Sequence, residues 1–320
     1  MVLPLVKEGF ADSPSSRDGL SRLLELRMRS HGVDLILRAT ILLRLPQLTG
    51  ASAAAILHRF YYRRSLLDFD VRIVAPAALL LACKLQETHR SLRDVAVVFA
   101  RLRLRTLRSG APGAVAAATT TAGPSSDDVA QLKQDIMTVE RHILRELGFV
   151  AGTLLEHPHK YVLQFVKSLK PSIDWMLTEL AQTAWNFLND SLRAPLICEF
   201  QPHEIATAGI YLAAKKLNLP LPQNPPWWGV FDTSIEVIRR IATSMATVAA
   251  APPLKDDEVT AIMSSQSGRR TLLRRRSTGN FSPFPETPLP LPSPQSDEAA
   301  DDHLQPVLPS SGPAGGGGGG

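Results

Sequence analysis

The sequence predicts an all-α fold made of two tandem five-helix repeats followed by a disordered C-terminal tail. Three observations carry that reading. Residues 73–83, IVAPAALLLAC, run without a formal charge and are closed by Lys84; such a run cannot be one stripe of a surface helix and reads as a helix buried on all sides. A second such run, IATAGIYLAA over 205–214, is closed by Lys215. PAALLLACKL lies over TAGIYLAAKK with the lysines in register, so one helical domain occurs twice. Nowhere does a run of any length alternate with the two-residue period of a strand.

Taken in order, residues 1–17 are Pro/Ser-containing and read as a flexible N-terminus. The first repeat is expected over 18–150. Leu20 to Arg29 suits a short amphipathic helix stopped near Gly32, and 33–43 a helix ended by Pro46. Thr49 caps a helix through Ile56, Leu57, Phe60 and Tyr61 to about Leu66. The buried helix over 71–85 has Asp70 as N-cap, with Pro76 tolerated early in it. Ser91 with Asp94 resembles a capping box for a fourth helix, 92–101. An insertion loop is expected over 105–126, where SGAPGAVAAATTTAGPSS is flexible by composition. Asp127 and Asp128 open the fifth helix, on which Val129, Leu132, Ile136, Val139, Ile143 and Leu147 form one stripe before Gly148.

The second repeat is expected over 151–250. Its helices are 159–169, ended by Pro171; 173–192, carrying Trp185; 203–217, opened by Pro202; a short fourth helix after PQNPPWW; and 234–248, with Ile235, Ile238, Ile241 and Met245 on one face. Residues 251–320 hold 11 of the 25 prolines and 9 of the 20 glycines and end in six glycines. They read as a Pro/Gly/Ser-rich disordered tail.

Composition excludes several function classes. Net charge is +5 over 320 residues, mild for nucleic-acid binding. Cys83 and Cys198 sit in apolar surroundings without metal or redox spacing, which fits a reducing compartment. MVLPLVKEGF lacks a basic start followed by an apolar core, so no signal peptide is expected. The apolar runs fall short of the roughly 20 residues that cross a bilayer, so no membrane partner is expected. His157 and His159 lack a matching Cys or acidic set for a metal. No nucleophile-elbow or glycine-rich phosphate motif is present, so neither catalysis nor a cofactor is expected. RLRLRTLR, 101–108, suits either contact with nucleic acid or acidic segments, or an extension of the fourth helix with a solvated basic face; no aromatic platform accompanies it. In the tail, Arg269, Arg270, Arg274, Arg275 and Arg276 form a nuclear-import-like cluster or a solubilising charge run. Ser282, Thr287 and Ser293 each precede proline and are candidate phosphosites.

The wording of the chain resembles a known family. RATILLRLPQ (38–47), RFYYRRSL (59–66), ALLLACKLQE (78–87), ERHILRELGF (140–149), EHPHKYVLQFV (156–166), WNFLNDSLRAP (185–195) and FQPHEIATAGIYLAAKKLNLPLP (200–222) are similar to the transcription and RNA-processing cyclins, cyclin L first and cyclins K and T next. The resemblance covers about 33–248, and not the insertion or the tail. It implies two cyclin boxes and a kinase-contacting pair at Lys84 and Glu140, where a fixed cation and anion capture backbone groups leading into the kinase's C-helix. Leu81, Leu85, Leu144 and Phe149 are the apolar candidates around that pair. A helix held inward keeps the kinase's own Lys–Glu pair made. The implied function is that of a non-catalytic activating subunit of a nuclear cyclin-dependent Ser/Thr kinase in RNA polymerase II transcription or pre-mRNA processing. Its implied contacts are the polymerase C-terminal domain or splicing factors. Two other readings stay open on fold alone: a nucleic-acid-binding factor like transcription factor IIB, and a kinase-independent scaffold binding peptides between the repeats.

Overall fold

Asp70 starts the central helix by accepting the Arg72 backbone N–H at 2.9 Å, and α4, Val71–Leu85, follows. In this computed structural model, which describes residues 13–109, 123–149, 156–169, 176–224 and 226–264, every residue from 74 to 83 is buried. Pro76 falls in the second turn of α4 rather than the first. Its missing N–H leaves the Arg72 carbonyl without a helical donor, a cost that close packing on all sides offsets. Four helices surround α4: α2 (Arg22–Leu42), α3 (Gln47–Arg63), α5 (Leu92–Ser109) and α6 (Ser126–Glu146).

The neighbours of α4 are shaped for close approach. α3 presents Gly50, Ala51, Ser52 and Ala53–Ala55, all buried. α2 is one continuous helix through Gly32, not two helices broken there. A Cβ at Gly32 would lie 2.4 Å from Val71 Cγ2 and 3.0 Å from Leu57 Cδ1, so glycine is what lets α2 cross α4 and α3. On α6, Ile136, Val139, Ile143 and Leu147 are buried, and Val129 and Leu132 pack at the edge of the same core. Its N-cap is Ser125, which accepts from Asp128 N–H at 3.0 Å, two residues before the aspartate expected to open the helix. Ser91 accepts from Asp94 N–H at 3.0 Å, the expected cap of α5.

Two boundaries differ from expectation at the first repeat. α5 continues to Ser109 because Leu102 is buried and Leu104 half-buried, so the insertion starts later than 105; residues 110–122 lie outside the described residues. Before α2, Ser13 caps the one-turn helix α1, Pro14–Arg17. Ser13 donates to Glu25 Oε2 at 2.5 Å and Ser15 Oγ accepts the Leu66 N–H at 3.0 Å. Residues 13–17 are therefore packed, while 1–12 lie outside the described residues.

The second repeat builds a separate core from α7 (His159–Ser168), α8 (Leu177–Ser191), α10 (Pro202–Lys216) and α11 (Ile235–Ala250). A four-residue helix, α9 (Leu196–Glu199), precedes α10. Pro202 is the first residue of α10, and Glu204 Oε2 accepts the Gln201 backbone N–H at 2.7 Å. Gly209 plays the part of Gly32: a Cβ there would meet Leu188 Cδ2 at 2.9 Å. The fourth helix of this repeat is a 3-10 turn, Trp227–Phe231, whose Phe231 stacks on Phe165 at 4.1 Å between centroids.

After α11 the chain does not leave the fold at 251. Residues 252–255 run back across the first repeat and a last helix, α12, covers 256–264. Leu254 and Val259 are buried in the first core, with Ile262 and Met263 packed against it. Arg27 donates to the Pro252 carbonyl at 2.9 Å and meets Glu258 at 3.2 Å; Arg72 donates to Thr260 Oγ1 at 2.7 Å. This strap corrects the expected tail boundary. Residues 265–320 lie outside the described residues.

Candidate functional site

Lys84 stands in the last turn of α4, where a cation is favoured by the helix dipole. Glu140 stands on the facing side of α6. Lys84 Nζ and Glu140 Oε1 are 2.6 Å apart, with side chains 54% and 11% exposed. The contact uses one ammonium proton and one carboxylate oxygen. The remaining donors of Lys84 and the Oε2 of Glu140 are the groups that a docked backbone could engage. The second repeat has no such pair: Lys215, the register equivalent of Lys84, is exposed and has no ion-pair partner among the described residues.

The apolar candidates divide. Leu85 and Leu144 are half-buried and pack on the first core, leaving part of each at the surface beside the pair. Leu144 sits one turn beyond Glu140 on α6. Phe149 is 75% exposed, an unusual state for so large an apolar side chain. Gly148 and Phe149 both take positive φ, +62° and +60°, and the Phe149 N–H bonds the Leu144 carbonyl at 3.0 Å, which closes α6 and turns the ring outward. Left-handed backbone at a phenylalanine costs about 1–2 kcal/mol. Leu81 is the correction: at 3% exposure it belongs to the core and offers no surface.

RLRLRTLR forms the end of α5, with Leu102 turned inward and Arg101, Arg103 and Arg105 exposed. That is the helix extension with a basic solvated face. The import-like cluster, Arg269, Arg270, Arg274, Arg275 and Arg276, and the candidate phosphosites Ser282, Thr287 and Ser293 lie outside the described residues.

Sequence reasoning missed the seam between the repeats. His157 Nε2 meets Ser52 Oγ at 3.0 Å, and Gln86 donates to the same hydroxyl at 3.0 Å. His58 Nε2 donates to the Leu192 carbonyl at 2.9 Å. Arg193 bridges Asp34 at 2.8 Å and Asp190 at 2.6 Å. Gln47 reaches Asn189, which also binds His159 at 3.0 Å. HPH thus locks a joint, and among the described residues no group of three or more His, Cys, Asp or Glu could hold a metal. Burial, reinforced by Arg29, drives the His58 pKa down to about 3 against a raising hydrogen bond from Leu192. Burial, with His159 and Arg59 nearby, drives His157 down to about 4. Both imidazoles are neutral at physiological pH. The signal available was WNFLNDSLRAP, whose Asn189, Asp190, Leu192 and Arg193 all serve the seam.

Two five-helix repeats around buried third helices, the first carrying a Lys–Glu pair at its surface, define a cyclin fold, and the chain belongs to the cyclin family. The family description "Cyclin, N-terminal domain" matches residues 8–151. Among curated relatives, Cyclin-L1-1 of Oryza sativa subsp. japonica is 36% identical over 267 residues, 83% of this chain and 59% of that protein. Cyclin-L1 of Homo sapiens is 39% identical over 236 residues, 73% of this chain and 42% of that protein. The chain thus spans about half the length of the curated relatives it matches. Among solved structures, a chain of the yeast RNA Pol II CTD kinase CTDK-1 complex matches at TM-score 0.52 and 18% identity, covering 85% of both chains. A chain of the CAK complex from Chaetomium thermophilum bound to ATP-gamma-S matches at TM-score 0.53 and 18% identity, covering 81% of this chain and 80% of that one. These two likenesses establish the fold. No helix among the described residues is long and apolar enough to cross a membrane.

Proposed function

We propose that this cyclin is the non-catalytic, activating subunit of a nuclear cyclin-dependent Ser/Thr kinase that acts in RNA polymerase II transcription, pre-mRNA processing, or both. The observation that carries the reading is the Lys84–Glu140 pair at 2.6 Å, present in the first repeat and without a counterpart at Lys215 among the described residues. Half-buried Leu85 and Leu144 flank it, and Phe149 projects near the end of the same helix. Similarity to cyclin L proteins supports the processing and transcription side of the reading, and a chain of the yeast RNA Pol II CTD kinase CTDK-1 complex shares the fold.

In this reading the pair opens toward the partner: Lys84 donates to carbonyls of the segment before the kinase C-helix, and Glu140 accepts N–H groups from it. Leu85, Leu144 and Phe149 cover the helix's apolar face. The cyclin performs no bond chemistry. It binds the kinase conformation with that helix inward better than the other and shifts the population accordingly. The difference in affinity sets the ceiling on activation, roughly 5.5 kcal/mol for a switch from 1:99 to 99:1.

The test is affinity purification of the tagged chain from nuclear extract, with kinase assay on a polymerase C-terminal-repeat peptide. A stoichiometric kinase whose recovery and activity drop in Lys84→Ala/Glu140→Ala is the expected result. A kinase recovered equally by the double variant overturns the site, and recovery of promoter-binding factors without a kinase overturns the function.

A further inference from the structure

Among the described residues, the arginines drawn into the fold are met by acids, with one exception. Arg27, Arg29, Arg64, Arg72 and Arg193 are buried or half-buried, and each lies within 3.2 Å of a carboxylate, on Glu258, Glu25, Glu146, Asp70 and Asp34 in turn. Arg59, half-buried on α3, makes no ion pair, hydrogen bond or ring contact among the described residues.

The neighbours of Arg59 do not answer its charge. Cys198 on α9 is buried, and burial pushes its thiol up to about 12, so it keeps its proton. His157 is buried and neutral. Glu199, the next residue of α9, is engaged by the Tyr62 hydroxyl, which donates to it at 3.0 Å. Withdrawing a cation from water is costly unless an anion or hydrogen-bond acceptors replace the water. One turn on, Arg63 stands at i+4, exposed and likewise without an ion pair or hydrogen bond among the described residues. Residues so spaced on a helix have Cβ atoms about 5–6 Å apart, and two like charges there repel. Two unanswered guanidiniums on one stripe of a helix suit a single doubly charged oxyanion, because each offers a planar fork of donors to it.

We propose that Arg59 and Arg63 form a binding site for a phosphorylated serine or threonine side chain, held at the seam where α3 meets α9. Such a phosphate carries close to two negative charges near neutral pH and three acceptor oxygens. Its oxygens take the donors of Arg59, Arg63 closes over the solvent side, and the charges of the three groups cancel. The class of ligand rests on the kinase reading: a subunit that grips phosphorylated repeats keeps the product in place for the next transfer. The site is apart from the kinase-facing pair. The end of α4 that carries Lys84 packs at the start of α3, where Thr49 meets Thr88 and Gln86 meets Ser52, whereas Arg59 and Arg63 lie in the last two turns of α3.

Fluorescence anisotropy with the full chain and a labelled polymerase C-terminal-repeat peptide, without kinase present, tests this. The peptide carrying phosphoserine is expected to bind about tenfold or more tighter than its unphosphorylated form. Arg59→Gln is expected to lose about tenfold or more of that affinity, Arg63→Gln a smaller part, and Lys84→Ala/Glu140→Ala none. Removing the exposed arginines of α5, in Arg101→Gln/Arg103→Gln/Arg105→Gln, is expected to leave affinity unchanged. Arg59→Gln discards an unanswered half-buried cation, so its melting temperature is expected to hold or rise; should it not fold, Arg63→Gln, at an exposed position, decides. Equal affinity for the two peptides, unchanged affinity in the α3 variants, or an equal loss in the α5 variant overturns the site. A glutamate-substituted peptide that binds as tightly as the phosphopeptide assigns the pair to carboxylates and overturns the phosphate. Phosphopeptide binding by a chain that recovers no kinase keeps the site and removes the kinase reading, and recovery of a kinase without phosphopeptide binding does the reverse.

Discussion

Among the described residues, Arg29 is the bulkiest side chain wholly removed from solvent, and its charge is answered on several sides. It meets Glu25 Oε1 at 2.7 and 3.0 Å, and it donates to the carbonyls of His58 at 2.9 Å and Tyr61 at 2.8 Å. The Tyr61 carbonyl is one of the last four of α3, which have no helical donor of their own. Arg29 thus caps α3 from α2. Removing one partner of a buried pair strands the other, so Arg29→Met is expected to cost about 3–5 kcal/mol in urea unfolding, and Arg29→Met/Glu25→Leu to recover much of it. None of this is visible in the sequence, where Glu25 and Arg29 look like an ordinary exposed i,i+4 pair. Gly32 was misread for a related reason. Glycine is a helix-stop signal locally, yet Met28, Gly32, Leu35, Ile36 and Ala39 keep helical spacing straight through it and are all buried. That continuity outweighs the local preference.

At the scale of elements, legibility followed burial pattern. α4 could be read because nothing but burial explains its composition, and α6 because one face is apolar throughout. The strap could not, because Pro and Gly dominate the average over 251–320 and hide Leu254, Val259, Ile262 and Met263. What calls for those four residues is the apolar surface of α2 and α4, more than 180 positions away, as the Arg72–Thr260 contact measures. The α4–α6 pair makes a sharper prediction. Lys84→Ala leaves Glu140, 11% exposed, without its cation, whereas Glu140→Ala leaves an ammonium that is 54% exposed and solvated by water. Glu140→Ala should therefore change stability by less than about 1 kcal/mol and be the milder of the two. Each is expected to weaken kinase binding by about tenfold or more, near 1.4 kcal/mol, in titration calorimetry. Equal stability costs for the two variants would contradict the burial asymmetry.

Across the whole molecule, the repeats are joined by a seam in which His58 and His157 are held neutral. His58 and His157 have their pKa values lowered to about 3 and about 4 from 6.5. Between the lowered value and 6.5 the unfolded chain holds a proton that the folded chain does not, so stability is full above 6.5 and falls as pH drops toward 4. The slope is roughly 1.4 kcal/mol per pH unit for each group across its window. Thermal unfolding between pH 7 and about pH 5 should show this loss, and His157→Gln should reduce it.

Leu254 and Val259 complete the core of the first repeat although they follow the whole of the second. On a ribosome, then, the repeat made earlier of the two is the one finished later. Its nascent form carries an unclosed apolar flank while some hundred further residues are synthesised, and that flank is what a chaperone would meet.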